Sequence, residues 1–326
     1  LILLFTWSCK SDIDLTEDYK DIAIVYGILS QKDSVHYLRI NKAFSGDNNA
    51  IEIAEYPDSS SYGSDIDVTI EEVTETGSSV IWHLDTITLS SKDTGTFYYP
   101  RQLFYTFNAI LDPASTYNLH IKNKVNGNEV TAATRLIQDF IMTKPAPGVT
   151  IINFKKTLAT QQRFEWLSAE YGKLHQLNVA FYFKETSSPG DTIIRKIEWP
   201  FTSVRSSSDD GGENLKVNYF NSDFYNICTE RVPYSDAMKE EAVISRKPYH
   251  IDFVFTVITD DLCTYLDVNT PSSGVLLDKQ AYSSNINNGL GVFSARYTKV
   301  FSYVFGTETQ LYLWNLPGLK FVKPLG

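Results

Sequence analysis

The chain has 326 residues, enough for about two domains with a core each at roughly 150 residues per domain. Thirty-nine acidic against 29 basic residues leave a formal net charge of −10, which argues against nucleic acid as a partner, because phosphate contact needs clustered Lys and Arg. Hydrophobic residues make 43% and aromatic residues 13%, which excludes disorder as the main state, and no run approaches the ~20 apolar residues of a spanning helix.

Leu1-Ile2-Leu3-Leu4-Phe5-Thr6-Trp7-Ser8 is an apolar-leaning run that ends in a small residue immediately before Cys9. It is too short to span a bilayer and fits the end of a signal-peptide apolar region. The site resembles a bacterial lipobox, in which residues 1–8 are the remnant of the signal peptide and Cys9 is the point of lipid attachment. Thr6 stands where Leu is usual, and Trp7 is bulky for its place. Several acyl chains on one residue give durable anchoring, at ~0.8 kcal/mol per buried methylene. A buried N-terminal strand with an ordinary Cys is the alternative. Residues 9–20 carry Asp12, Asp14, Glu17 and Asp18 and form an acidic tether. The tether resembles the signal that sends lipoproteins of the Bacteroidota to the outer face of the outer membrane; a plain soluble linker has the same composition.

Residues 21–143 read as one β domain. Asp21–Leu29 is apolar on both parities, as expected of a strand covered on both faces. Val35–Lys42 is a second strand, and Asp65–Ile70 alternates, with Ile66, Val68 and Ile70 on one side. Leu103–Ala109, Thr116–Val125 and Glu129–Leu136 follow, and Asn126-Gly127 between the last two signals a two-residue type I′ hairpin. Strands at this spacing favour a sandwich. Leu111, Pro113, Tyr117, Leu119 and Ile121 form L-x-P-x-x-x-Y-x-L-x-I. This resembles the tyrosine corner of fibronectin type III and immunoglobulin-like sandwiches, where the hydroxyl bonds back to upstream backbone.

Thr143-Lys144-Pro145-Ala146-Pro147-Gly148 cannot continue a strand ladder, so 144–148 reads as a linker and 149–326 as a second β-rich domain. Strands are expected at Arg163–Leu167 with Trp166, at Gln176–Lys184 with Val179, Phe181 and Phe183 on one face, at Thr192–Trp199 and at His250–Ile258. A short helix is expected over Asn221–Arg231, capped by Ser222, with Phe224 and Cys228 on one face. A second should start at Thr259, with Leu262 and Leu266 sharing a face. The fold class is all-β: an immunoglobulin/fibronectin-III-like sandwich, then a larger sandwich with one or two short helices.

Catalytic motifs are absent. His36, His83, His120, His175 and His250 lie far apart in sequence, with no H-E-x-x-H, G-x-S-x-G or phosphate-binding glycine loop. No cofactor or metal is implied and no catalytic residue is assigned; paired carboxylates set by the fold leave an unrecognised hydrolase as the least favoured reading. Ser206–Asn214, with Asp209, Asp210 and Glu213, offers oxygens to Ca²⁺ or is a solvated hairpin loop. Cys228 and Cys263 are either a disulfide or two buried thiols. The long loop 43–64 carries Phe44, Tyr56 and Tyr62 among polar residues, a composition that contacts glycans or peptides or folds back on the core.

A last pattern joins both ends. Thr259-Asp260-Asp261-Leu262-Cys263-Thr264-Tyr265-Leu266 is followed by Ser284–Arg296, which contains Asn285-Ile286-Asn287-Asn288-Gly289-Leu290-Gly291-Val292-Phe293, and Val25-Tyr26-Gly27-Ile28-Leu29 stands near the start. Together with Cys9 these resemble an uncharacterised family of Bacteroidota outer-membrane lipoproteins, often encoded beside TonB-dependent transporters. Ser294-Ala295-Arg296 departs from the small, Gly-containing turn common there. The resemblance implies a non-enzymatic lipoprotein, membrane-bound through its lipid and exposed at the cell surface, acting as an accessory or ligand-capturing partner of such a transporter. The alternative is a fimbrial or adhesin-like structural subunit. In the residues themselves, Gly289 and Gly291 are expected to let the chain turn and drop Val292 and Phe293 into the core.

Overall fold

The computed structural model describes residues 22–43, 56, 60–90, 101–155, 160–187, 190–233, 243–269 and 284–324. It is mainly β. Strands β1 (Ala23–Leu29), β2 (Val35–Lys42), β3 (Ile66–Val73), β4 (Ser79–His83), β5 (Asp85–Leu89), β6 (Gln102–Asn108), β7 (Thr116–Asn123) and β8 (Glu129–Arg135) come first. They are followed by β9 (Met142–Lys144), β10 (Ile151–Ile152), β11 (Gln162–Leu167), β12 (Leu174–Ser187), β13 (Thr192–Pro200), β14 (Val204–Arg205) and β15 (Asn214–Tyr219). Helix α1 (Asn221–Arg231), β16 (Val243–Ile258), α2 (Asp260–Asn269), β17 (Gly289–Phe305) and α3 (Thr307–Trp314) complete the order.

A ten-stranded sheet runs β13-β12-β16-β17-β1-β2-β6-β5, with β10 on β17 and β14 on β12; β4-β3-β7-β8 and β15-β11-β9 form two smaller sheets. Period-2 alternation puts Ile66, Val68 and Ile70 of β3 and Tyr117, Leu119 and Ile121 of β7 into a first core facing Val25, Leu29, Leu38 and Ile40. Val179, Phe181 and Phe183 of β12 face Phe164 and Trp166 in a second core. The cores do not follow one cut in the chain. Ile137, Phe140 and Met142, before the Pro-Gly segment, pack in the second; Ile286, Phe293 and Ala295 pack in the first.

Strand β17 is the link. Its first seven residues pair parallel with β1, from Ala23↔Gly289 to Leu29↔Ala295. From Arg296 onward it pairs antiparallel with β16. The close approach explains both glycines: a Cβ on Gly291 (φ +103°) would lie 1.9 Å from the Val25 carbonyl oxygen, and one on Gly289 2.9 Å from that of Ala23. Val292 and Phe293 are buried, as expected.

The tyrosine motif has the geometry its sequence suggests: the Tyr117 hydroxyl donates to the Asp112 carbonyl at 3.0 Å, and Glu72 Oε1 lies 3.1 Å away. Other expectations are corrected. Strand β1 is fully covered on one face only; on the other, Tyr26 and Ile28 are 37% and 43% exposed, because among the described residues that side meets only α2, whose Tyr265 ring lies 6.0 Å from that of Tyr26. Only Gly127 of the Asn126-Gly127 pair takes positive φ. The loop is four residues long, Lys124–Gly127, because the Asn123 side chain accepts the Val125 N–H at 2.8 Å and sets a wider turn. Helix α1 is capped not by Ser222 but from Phe220, whose N–H donates to the Asp223 carboxylate at 2.8 Å. Leu262 is buried but Leu266 is 44% exposed, so the two do not share a covered face. Strands β4 and β5 had no sequence signal strong enough to name them: most of their residues are exposed. Cys228 and Cys263 are free, buried thiols in separate clusters.

Candidate ligand cleft between the two cores

A cleft of about 230 Å³ opens where β7 and β8 meet the turns of the second core. One wall is Thr116, Ala133, Thr134 and Arg135; the other is Tyr171, Asp209 and Thr259–Asp261. Arg135 ends β8, where the strand leaves the first core. Tyr171 sits in the β11–β12 turn with φ +61°, a left-handed conformation uncommon for a non-glycine residue. It is held there from both sides: its N–H donates to the Asp209 carbonyl at 2.8 Å, and its hydroxyl accepts from Arg135 Nη1 at 2.5 Å. The Arg135 guanidinium also lies 5.2 Å from the Tyr171 ring centre. One Arg–Tyr contact therefore bridges the two walls.

The electrostatics are lopsided. Asp260 and Asp261 open α2, where the partial positive charge of the helix start favours them. Burial raises the Asp261 carboxyl above its ordinary value; the Asn285 side-chain hydrogen bond opposes this, and the like charges of Asp260 and Asp209 add to it. Lys173 approaches Asp260 at 4.0 Å. The Thr259 hydroxyl is engaged with that of Ser294. Such a lining presents hydroxyls, three carboxylates and one guanidinium to a polar small molecule. Among the described residues no three His, Cys, Asp or Glu groups converge to hold a metal ion.

The sequence-derived candidates fall elsewhere. Cys9 and Phe44 lie outside the described residues. Tyr62 is 6% exposed and packs in the first core, whereas Tyr56 is 67% exposed. In the acidic stretch, Glu213 Oε2 accepts from the Ser207 N–H and hydroxyl at 2.6 and 2.8 Å, closing the loop on itself; only Asp209 reaches the cleft. Arg135 and Tyr171 carried no local signal, since long-range pairing alone brings them together. The chain matches no family model and no curated protein.

Proposed function

We propose that the protein is a lipid-anchored binding protein of the outer membrane, attached through Cys9 and exposed at the cell surface. It works as an accessory or ligand-capturing partner of a TonB-dependent transporter and performs no catalysis. Its body is two β-sandwiches, the first immunoglobulin/fibronectin-III-like, a reading supported by the Tyr117–Asp112 bond. Residues 9–20 are the tether. The observation that carries the binding role is the cleft: its walls come from both cores and are bridged by Arg135 and Tyr171. The lining offers hydroxyls, carboxylates and one guanidinium as hydrogen-bonding groups, which suits holding a polar glycan or peptide.

Fatty-acid labelling in the native host, followed by affinity capture from solubilised membranes, tests this. The expected result is label on Cys9, its loss in Cys9→Ala, and recovery of an outer-membrane channel. An unlabelled Cys9 together with a cytosolic protein overturns the proposal.

A further inference from the structure

We propose that the ligand of the cleft is a zwitterion, a free α-amino acid or dipeptide, with its carboxylate on Arg135 and its ammonium at Asp209 and Asp261. The inference rests on the cleft being the binding site and not on the lipid anchor. The two walls carry opposite charge and do not neutralise each other. Arg135, on the β8 wall, has no ion pair among the described residues. Its Nη1 donates to the neutral Tyr171 hydroxyl, which leaves the Nε and Nη2 edge for a bidentate carboxylate. On the facing wall Asp209 and Asp261 have no cationic partner among the described residues either; Asp260 alone has one, Lys173 at 4.0 Å. Burial and the like charges of Asp260 and Asp209 raise the Asp261 carboxyl, so this wall repels itself and an ammonium held there relieves the repulsion.

Opposite charges that share a cleft without meeting suit a ligand with two oppositely charged ends, because each end supplies the partner that the protein withholds. Size and surface decide against a glycan. The volume of about 230 Å³ lies below the ~300–1,000 Å³ of sites for drug-sized ligands, which is small for an oligosaccharide and ample for one or two amino-acid residues. Sugars also pack their C–H faces on open aromatic rings. Tyr171 is the one ring in the lining among the described residues, and the Arg135 guanidinium already lies 5.2 Å from its centre. A peptide of many residues would need an extended groove, whereas one pair of charged ends fills this cleft.

Calorimetric titration of the full chain tests this with the standard amino acids and their dipeptides with alanine, the same compounds N-acetylated or C-amidated, and neutral oligosaccharides. At least one free zwitterion should bind, and blocking either end should weaken it ~10-fold or more, the worth of a hydrogen bond to a charged group. Arg135→Gln should erase the penalty for amidation and keep that for acetylation; Asp261→Asn should shrink the penalty for acetylation and keep that for amidation. Both side chains are exposed, so each variant should keep the parent's unfolding midpoint. Equal weakening of free and amidated ligand in Arg135→Gln overturns the inference. Oligosaccharide binding that Arg135→Gln abolishes, with no zwitterion bound, also overturns it but leaves the cleft as the binding site; binding of none of these compounds overturns both.

Discussion

Around the first core the buried side chains are mostly aliphatic: Val25, Leu29, Leu38, Ile40, Ile66, Val68, Ile70, Leu119 and Ile121. Around the second they are rings. Phe154 stacks on Phe224 at 4.4 Å and Phe164 on Tyr219 at 4.2 Å, with Trp166, Phe181, Phe253 and Phe255 packed among them. Both cores enclose polar groups, Glu72 and His36 beside the first, but among the described residues only the second encloses an ion pair. Arg246 and Glu185 form an ion pair at 2.8 Å with side chains 1% and 4% exposed, and His175 is fully buried. Branched aliphatics pack closely with few polar atoms. Large rings leave gaps and polar tips that need specific partners, so the second core depends more on individual bonds.

Breaking the Arg246–Glu185 pair is the most severe way to exploit that difference. Glu185→Ala strands a buried guanidinium whose other bond, to the Leu319 carbonyl at 2.9 Å, supplies no charge, and should cost about 3–5 kcal/mol in urea unfolding. The corresponding test of the first core is milder. Tyr117→Phe removes the bonds to Asp112 and Glu72 and should cost about 1–3 kcal/mol, since a buried acceptor loses its donor. An equal loss in the two variants would erase the contrast. A third test sharpens it through pH. Burial pushes His175 down to about 4 from the ordinary 6.5, with Glu213 opposing. The unfolded chain then takes up this proton first, so stability is complete above about pH 6.5 and falls as pH drops from there towards 4. His175→Gln should flatten that decline in unfolding midpoint while keeping an acceptor for the Ala169 N–H, which now donates to Nε2 at 3.1 Å.

Much of the fold was legible because it is local. Val35–Lys42 and Asn221–Arg231 appear in the structure with the limits their patterns suggest, since alternation and helical spacing are properties of short windows. What failed was set at a distance. Tyr26 and Ile28 read as core because they are apolar, yet nothing in β1 tells which sheet face another layer will cover. The joining of β1 to β17 involves residues more than 260 positions apart, and the glycines that permit it looked like a turn signal. The cleft shares that limit. Asp260 and Asp261 were visible as the opening of a helix and Asp209 as part of an acidic loop, but their meeting with Arg135 is a product of tertiary packing.

The parallel seam between β1 and β17 has a mechanical consequence. The chain enters β1 at Ala23 and leaves the matching part of β17 at Ala295, at opposite ends of the seam. Tension applied between the amino end and the second core therefore loads this ladder in shear. Seven residue pairs resist together instead of parting one at a time, so the weakest direction for tearing the molecule is not the one along which a tether at its amino end would pull.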